Sequence, residues 1–483
     1  MNIIENIVSV INSITRDKIL LAILPLTGIF FTLYLGFPQI RRLPSAFKQT
    51  FGGLFDKEEN KRRKAAGEVT SFQALSVAVA AQVGTGNIVG VATAIVLGGP
   101  GAVFWMWMAA FLGMGTIFAE AILAQKYRER DSEGELIGGP AYYIKNGIKN
   151  KTLGKILATT FSVLIIIALG LIGNMVQANS IAATVGSSIA VDPIWVGIIV
   201  MVLAGMVFLG GIGRIASFAE KIVPVMAIFY ISLAIYAMFA YSSEVVPVLK
   251  TIFREAFSTG ALIGGGAGIA IQKAMTFGVS RGLFSNEAGM GSTPHAHATA
   301  KVNHPLEQGL TAIIGVFIST FLICTATAVV ILVTEANFLD KPVALITQEA
   351  FYTVFGNFGK HALTICISCF SFTTIVGWYY FGESNIKFLF GEKLLTPYRL
   401  VVLSFVFIGA IAKVDLVWEL ADMFNSLMVI PNLIAIVMLA KQVKGITRDY
   451  DRCKKLGKIT YDYEYDKVVM KPEIDLEVAT DKI

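Results

Sequence analysis

Eleven long apolar runs constrain this sequence more than any other feature, because each is long enough to cross a lipid bilayer as a helix. A spanning helix needs about 20 predominantly apolar residues. Apolar residues make up 55% of the 483 residues and charged residues only 15%, too few charges to cover a soluble protein of this size. We therefore predict an all-α polytopic membrane protein. The predicted spans are residues 19–40, 69–97, 101–125, 155–186, 194–211, 218–241, 257–290, 306–334, 358–389, 397–413 and 416–441.

The odd number of spans predicts one accessory helix followed by two sets of five, which lie inverted in the membrane as a 5+5 repeat. The accessory helix and the loop after it are assigned to residues 1–68, the first repeat to 69–241 and the second to 257–441. The charged segment 442–483 is predicted to be a cytoplasmic tail with little structure of its own. Residues 342–356 are too polar to span, and they are predicted to form a short helix over a pore mouth.

The positions of the lysines and arginines predict how the chain is oriented. With the N-terminus outside, the loops on the cytoplasmic side hold 32 of the 40 basic residues and the outer segments hold seven. The prediction is a multi-pass protein of the cell membrane, with its N-terminus outside and its C-terminus in the cytoplasm.

Two predicted spans carry polar, glycine-containing interruptions at matching places in the two repeats. The first is GTGN at 84–87, and the second is FGVSRG at 277–282. Irregular backbone within a bilayer is tolerated only where it lines a cavity or is buried in protein. Paired interruptions of this kind are a good sequence pointer to the midplane site of a transporter.

The first interruption offers a site for an anion beside a site for a cation. The amides of a new half-helix suit a carboxylate, and here they belong to Gly86, Asn87 and Ile88. The carbonyls that end the preceding half-helix suit a hard cation, and they belong to Ala80, Gln82 and Val83. A zwitterion bound together with sodium fits this pair of sites. The alternative is that the glycines only allow close helix packing, and the paired interruptions favour binding.

Two long motifs resemble the alanine or glycine:cation symporter family. They are QVGTGNIVGVATAIVLGGPGAVFWMW at 82–107 and FGVSRGLFSNEAGMGSTPHAHATA at 277–300, and the resemblance covers residues 69–441. The family belongs to the amino acid–polyamine–cation superfamily, with a leucine-transporter-like fold. The resemblance implies uptake of alanine or glycine by alternating access, driven by sodium or protons.

Carried onto matching positions, the resemblance implies that the substrate carboxylate and one sodium site meet at Gly86 and Asn87. It also implies a second sodium site, in which two adjacent hydroxyls complete an oxygen cage. The residues implied for that site are Ala80, Val83, Phe370, Thr373 and Thr374. The alternative for the threonines is hydrogen bonding within their own helix. Because no partners for Asn87 are identified in span 306–334, one sodium per cycle is expected.

Further polar and aromatic side chains complete the predicted substrate site. Gln82 and Gln177 are expected to bind the ammonium and carboxylate groups, whereas Asn174 either faces the site or joins helices. Phe277 and Trp378 are expected to limit the pocket to a small side chain. The full predicted substrate set is Gln82, Thr85, Gly86, Asn87, Gln177, Phe277, Gly278 and Trp378.

Charged residues and histidines near the second interruption have separate predicted roles. Arg281 and Glu287 are expected to form an intracellular gate or a structural ion pair. His295, His297 and His304 invite a metal site. Because no Cys or carboxylate cluster lies beside them, a loop-structuring role is preferred.

The favoured function is sodium symport of alanine or glycine, and the alternative is proton-coupled symport by the same fold. No buried carboxylate sits clearly at the breaks, which disfavours the proton alternative. The sequence has no HExxH motif, no Ser/His pair on facing spans, no P-loop and no selectivity-filter loop, so an enzyme, a pump or a channel is not indicated. We expect no enzymatic cofactor, sodium as the coupling ion, and no nucleic-acid partner.

Overall fold

The computed structural model describes residues 3–52, 68–132, 134–257, 267–412 and 414–461. Within them the chain is almost entirely helical, and one short antiparallel hairpin pairs β1 (Glu129–Arg130) with β2 (Leu136–Ile137). The predicted all-α class is therefore confirmed for the described part of the chain.

The helices of the first half begin with the accessory segment and include the first interrupted span. They are α1 (Ile3–Ile14), α2 (Leu21–Tyr34), α3 (Pro38–Arg41), α4 (Leu43–Phe51), α5 (Ser71–Gln82), α6 (Val89–Gly98), α7 (Ala102–Lys126), α8 (Pro140–Gly147), α9 (Lys151–Ile165), α10 (Asn174–Ile189), α11 (Pro193–Phe208), α12 (Gly211–Ala240) and α13 (Ser242–Phe257).

The helices of the second half begin with the one that contains the predicted second interruption. They are α14 (Ala267–Asn286), α15 (Pro294–Thr299), α16 (Pro305–Val316), α17 (Thr325–Val333), α18 (Ile346–Phe355), α19 (Asn357–Phe390), α20 (Leu395–Ile411), α21 (Val414–Met438) and α22 (Ala440–Lys455). Three π-helical segments join α1 to α2, α9 to α10 and α16 to α17, and they are Thr15–Leu20, Ile166–Gly173 and Phe317–Cys324.

Local sequence signals explain several of the helix starts. Thr70 and Gln73 form a reciprocal capping box before α5, with N–O distances of 3.1 and 3.0 Å. Asp192 caps α11, whose first residue is Pro193, and His304 caps α16 in the same way before Pro305. Proline suits this first position because its missing N–H would have no helical partner there.

Seven helical segments of the described chain are long and apolar enough to cross a membrane, so the protein is a multi-pass membrane protein. They are Glu5–Tyr34, Ala102–Lys126, Lys151–Ile189, Gly211–Ala240, Pro305–Val333, Asn357–Ile411 and Leu416–Met438. Val89–Gly98 and Pro193–Phe208 are apolar but shorter. The count of eleven spans and the inverted repeat stay predictions.

The accessory helix differs from the predicted span 19–40. It begins near Ile3 and ends at Tyr34. Gly36 and Phe37 then take positive φ angles of 70° and 57°, and Pro38 begins the next helix. The apolar run was extended too far because hydropathy does not register this left-handed turn.

The segment after Lys441 is wrongly predicted to have little structure. Helix α22 (Ala440–Lys455) begins this segment and contacts α7 and α16. Its buried side chains include Val443, Ile446 and Tyr450. Asp449 on this helix lies 3.3 Å from His304 Nε2, and this hydrogen bond holds the pKa of Asp449 below its ordinary value. The remainder of the predicted tail, from residue 462 onward, lies outside the described residues.

The predicted short helix at 342–356 is confirmed as α18, preceded by a 3₁₀ turn at Val343–Leu345. Helix α18 packs on α19 and α6, and the turn packs on α6. Elsewhere α7 lies along α14 and α16, and α5 contacts α12 and α19. The first interrupted span is thus surrounded by helices from both predicted repeats.

Candidate substrate and ion site

The interruption at GTGN is confirmed. Helix α5 ends at Gln82, Gly84 is extended, and a single 3₁₀ turn at Thr85–Asn87 leads into α6. The Asn87 side chain closes this turn, because its Oδ1 accepts a hydrogen bond from the Gly84 amide at 3.0 Å. We call residues 83–88 the first break.

The second interruption lies elsewhere than predicted. Helix α14 runs without interruption through 277–282 and ends at Asn286, and irregular backbone follows before α15. Glu287, Gly289 and Gly291 in this stretch take positive φ angles of 58°, 92° and 76°. The prediction of a break at FGVSRG is therefore wrong. We call residues 287–293 the second break.

Close helix packing explains the glycine at 278. A Cβ added there would lie 2.6 Å from Trp105 Cβ, so Gly278 lets α14 approach α7. Phe277 lies beside Gly98 at the far end of α6. Because α14 is unbroken at both positions, neither residue lies at a break as the sequence predicted.

The two breaks meet through the last turn of α14. A Cβ added at Gly86 would lie 2.8 Å from Phe284 Cδ1, so only glycine fits there without displacement. Asn87 Nδ2 donates to Ser285 Oγ at 3.1 Å, and Gln82 Nε2 donates to the Asn286 carbonyl at 2.7 Å. Residues 284–286 thus occupy the place that the sequence assigned to Phe277 and Gly278. The sequence feature that could have indicated residues 284–286 is the closely spaced pair Gly289 and Gly291, a few residues later.

Four of the five predicted sodium residues converge at one point between α5 and α19. The Thr374 hydroxyl lies 2.9 Å from the Ala80 carbonyl oxygen, 3.0 Å from that of Phe370 and 3.4 Å from that of Val83. The Thr373 hydroxyl donates to the same Phe370 carbonyl at 2.9 Å and otherwise lies 3.9 Å from Met226 Sδ. Uncharged oxygens of this kind are ligands that hard cations prefer.

Gln177 reaches the first break from α10. Its Oε1 accepts a hydrogen bond from the Thr85 amide at 3.1 Å. Gln177 Nε2, Thr85 Oγ1 and Gln82 Oε1 are buried and have no hydrogen-bond partner among the described residues. Buried polar atoms without a hydrogen-bond partner are rare in proteins, and they indicate a place for a polar ligand or water.

The two predicted amide partners contact different elements. Gln82 lies against Gly315 of α16, where an added Cβ would be 2.6 Å from Gln82 Oε1, whereas Gln177 lies against Gly84 and Thr85. Asn174 donates to the Gly170 carbonyl of its own helix at 3.0 Å. Of the two amides on this face of the helix, only Gln177 bonds to the first break.

Aromatic rings close the site beside Gly86. Phe284 meets Trp378 edge to face at 5.7 Å between ring centroids, and it meets Trp418 at 5.3 Å. Trp378 is buried, and its Nε1 donates to Glu287 Oε1 at 2.7 Å. Trp378 therefore lies between the two breaks, and Phe284 is a second aromatic residue there that the sequence analysis missed.

Two buried carboxylates lie at the second break, contrary to the prediction that none does. Glu287 accepts hydrogen bonds from Trp378 and from the Ser292 hydroxyl. Glu120, from α7, accepts the amides of Gly289 and Gly291, each at 3.1 Å. Glu120 satisfies backbone donors that the break leaves without helical partners. Its role could not be read from sequence because it lies more than 160 residues from the loop that it holds.

The sequence analysis paired Arg281 with Glu287, but the structure pairs Arg281 with another carboxylate. Arg281 forms two hydrogen bonds with Asp422 of α21, at 2.8 and 2.9 Å, and Arg16 lies 3.1 Å from the same carboxylate. A Cβ added at Gly90 of α6 would lie 3.9 Å from Arg281 Cδ. The ion triad is therefore on the α6 side of the first break, so in the predicted orientation it lies on the outer side and not on the intracellular side.

The span α16–α17, where no partners for Asn87 were identified, in fact makes three hydrogen bonds with it, one of them from Asn87 Nδ2 to Cys324 Sγ at 3.4 Å. Asn87 Nδ2 donates to the Ser319 carbonyl at 3.0 Å, and Thr327 Oγ1 donates to the Asn87 carbonyl at 2.8 Å. Ser319 lies in the π-helical segment Phe317–Cys324, where the shifted backbone ladder leaves carbonyls open to other donors. These bonds hold Asn87 in place at the first break.

The three histidines have hydrogen-bond partners in the surrounding helices, which agrees with a role in structuring this region. The pairs are His295 Nε2 with Asn385 Nδ2 at 2.8 Å, His297 Nδ1 with Gln308 Oε1 at 2.9 Å, and His304 Nε2 with Asp449 Oδ2 at 3.3 Å.

Comparison with known proteins gives one consistent result. A sequence model described as the sodium:alanine symporter family matches residues 1–464. The chain is 41% identical over 454 residues to the sodium/alanine symporter AgcS of Methanococcus maripaludis, covering 93% of this chain and 98% of that protein. It is 41% identical over 459 residues to the probable sodium/glutamine symporter GlnT of Bacillus subtilis, covering 94% and 92%.

Among solved structures, the crystal structure of MhsT in complex with L-phenylalanine is similar in fold. It superposes with a TM-score of 0.58 over 77% of this chain and 89% of that one, at 11% sequence identity. Identity this low shows a likeness of fold alone. The fold agrees with the leucine-transporter-like architecture that the two motifs implied.

Proposed function

The chain belongs to the sodium:alanine symporter family, whose members are transporters and not enzymes, and from this premise we propose that it takes up alanine, glycine or both together with sodium. The observation that carries the proposal is the cluster of uncharged oxygens around Thr374, next to the unpartnered polar atoms of the first break. An ion site and a polar ligand site that share one break suit coupled transport.

The proposed sodium site joins the interrupted span to a neighbouring helix. Ala80 and Val83 belong to the end of α5, and Phe370, Thr373 and Thr374 belong to α19. Sodium bound among their oxygens would fix the end of α5 and hence the residues that follow it. Because each ligand orders the backbone that the other uses, binding of sodium and of substrate would be mutually favourable.

The proposed substrate site uses residues of the first break that follow the end of α5, together with Gln177. The carboxylate is bound by the backbone of Gly86 and Asn87, by the Thr85 hydroxyl and by Gln177 Nε2. Gln82 stays a candidate through its unpartnered Oε1. Phe284 and Trp378 limit the space for the substrate side chain, which favours alanine and glycine over larger amino acids.

The proposed transport cycle is alternating access around the two breaks. It includes eleven spans in two inverted repeats, at 69–241 and 257–441, and an outward-facing N-terminus with a cytoplasmic C-terminus. The ion triad of Arg16, Arg281 and Asp422 would then lie on the outer path to the site, and it would separate when that path opens.

The test of the proposed function is uptake of labelled alanine and glycine by the purified protein in liposomes. We expect uptake that requires an inward sodium gradient and that collapses when the gradient is removed. Uptake driven by a pH gradient alone, without sodium, would contradict sodium coupling.

Proton coupling is the second candidate, and the observation that favours it is Glu287 at the second break, bonded to Trp378 of the proposed site. With the sodium and pH gradients imposed separately, proton coupling requires pH-driven uptake that Glu287→Gln removes. Uptake by Glu287→Gln that keeps its full sodium dependence and shows no pH-driven component would leave sodium as the coupling ion.

Gln177→Leu is expected to raise the KM for alanine about 10-fold or more while sodium dependence is retained. A hydrogen bond to a charged group contributes roughly 1.5–3 kcal/mol, and leucine removes the donor without opening a large cavity. The comparison variant is Asn174→Leu, one turn away on the same helix. Asn174 Nδ2 bonds to the Gly170 carbonyl, and its buried Oδ1 has no partner among the described residues. Equal effects of the two substitutions on KM would count against a direct role for Gln177.

A further inference from the structure

A cleft of about 590 Å³ lies between the end of the accessory helix and α22. None of its lining residues belongs to either of the two breaks. Its walls are unusually basic. The cationic side chains that line it are Arg41, Arg42, Lys444, Arg448, Lys454 and Lys455, and the acidic one is Asp451.

Most of this positive charge is not neutralised within the described chain. Asp451 pairs with Arg42 at 2.7 Å, which accounts for one cation and the single acid of the cleft. Lys444 Nζ lies 4.2 Å from the centroid of the Tyr34 ring, a contact that orients the charge without cancelling it. Arg41, Arg448, Lys454 and Lys455 are largely exposed and have no ion pair among the described residues. The cleft is therefore suited to an anion with more than one contact point.

The surroundings of the cleft indicate that this anion is attached to an apolar body. The cleft opens where the membrane-crossing helix Glu5–Tyr34 ends. Leu33, Phe37 and Ile40, which neighbour the lining residues in the chain, are 61%, 40% and 57% exposed. Basic pockets beside the ends of spanning helices are a recurrent site for anionic lipid headgroups. A soluble phosphate would make no use of the exposed apolar side chains.

We propose that this cleft binds the phosphate-bearing headgroup of an anionic phospholipid, whose acyl chains lie along Leu33, Phe37 and Ile40. The headgroup joins Arg41 of the accessory segment to Arg448 and Lys455 of α22. Because α22 follows α21 directly, the lipid ties the accessory helix to the helix that carries Asp422. This binding is independent of the proposed transport function.

The test is native mass spectrometry of the full chain in detergent, with phosphatidylglycerol and phosphatidylcholine added in parallel. We expect phosphatidylglycerol to be retained at least about 10-fold more strongly, because each basic residue near a membrane surface adds to the attraction for anionic lipid. The variant Arg41→Ala/Arg448→Ala/Lys455→Ala should lose this preference. The matched control is Lys149→Ala/Lys151→Ala/Lys155→Ala, which removes the same charge from exposed positions outside the cleft. An unfolding temperature in phosphatidylcholine equal to that of the wild type shows that each variant is folded.

Three kinds of outcome would overturn the proposal. The first is equal retention of the two lipids, or equal loss of phosphatidylglycerol in both triple variants. The second is displacement of phosphatidylglycerol by millimolar inorganic phosphate, which would assign the cleft to a soluble anion. The third is retention of phosphatidylglycerol only after Asp462→Asn, Glu464→Gln and Asp466→Asn are combined in the full chain, which would assign the cleft to the chain's own acidic C-terminal segment.

Discussion

Thr374→Val is expected to lower sodium-dependent alanine uptake about 100-fold or more. Valine keeps the shape of threonine but removes the hydroxyl around which the Ala80, Val83 and Phe370 carbonyls gather. The variant loses an oxygen ligand for the proposed ion. The Ala80 and Val83 carbonyls lose the Thr374 hydroxyl as a donor, whereas the Phe370 carbonyl keeps the Thr373 hydroxyl. Leaving buried polar groups unsatisfied costs roughly 1–3 kcal/mol each, which is enough for a loss of this size.

The measurement is initial uptake by proteoliposomes as a function of sodium concentration. Thr374→Ser is the rescue control, because serine restores the hydroxyl and should return most of the uptake. Thr373→Val is expected to have a smaller effect, since that hydroxyl reaches only one of the three carbonyls, at Phe370. Wild-type sodium dependence in Thr374→Val would remove this residue from the proposed ion site.

Asp422→Ala is expected to lower the free energy of unfolding by about 3–5 kcal/mol, the usual cost of removing one partner of a buried ion pair. The side chains of Arg281 and Asp422 are each only 6% exposed, and alanine would leave the Arg281 guanidinium buried without its counter-charge. The stacking of Arg281 on Trp418, at 5.1 Å, cannot replace that charge.

The measurement is the unfolding temperature of the purified protein, together with its amount in the membrane. Adding Arg281→Leu to Asp422→Ala should recover part of the loss, because both buried charges are then absent. Arg16→Leu is the milder control, since it leaves both Arg281–Asp422 hydrogen bonds in place. A double variant no more stable than Asp422→Ala would show that Arg281 contributes through packing and not through charge.

The ion triad also shows how a residue outside the predicted repeats enters the core. Arg16 belongs to the π-helical segment of the accessory helix, whose wider turn brings it to Asp422 on α21. No sequence pattern links residues 16, 281 and 422. The sequence analysis assigned Arg281 to Glu287 because the two are close along the chain, whereas its partner lies 141 residues away.

The features that the sequence determined by itself are those that depend on local chemistry. A run of about 20 apolar residues is stable in a bilayer only as a helix whose backbone groups bond to one another, so the membrane class and most helix positions could be predicted. The first break could be predicted because two glycines and an asparagine stand close together in an otherwise apolar span. Its Asn87 side chain supplies the hydrogen bond that closes the turn.

The features that only the tertiary structure decided depend on what packs against each residue. Gly278 and Gly289 look alike in the sequence, but Trp105 covers the first, while Glu120 accepts the amide of the second. Helix α14 therefore continues at 278, where the neighbouring helix fills the space, and it has ended before 289, where a distant carboxylate satisfies the freed backbone. Burial makes every polar group depend on a partner, and those partners come from helices that meet only in the folded protein.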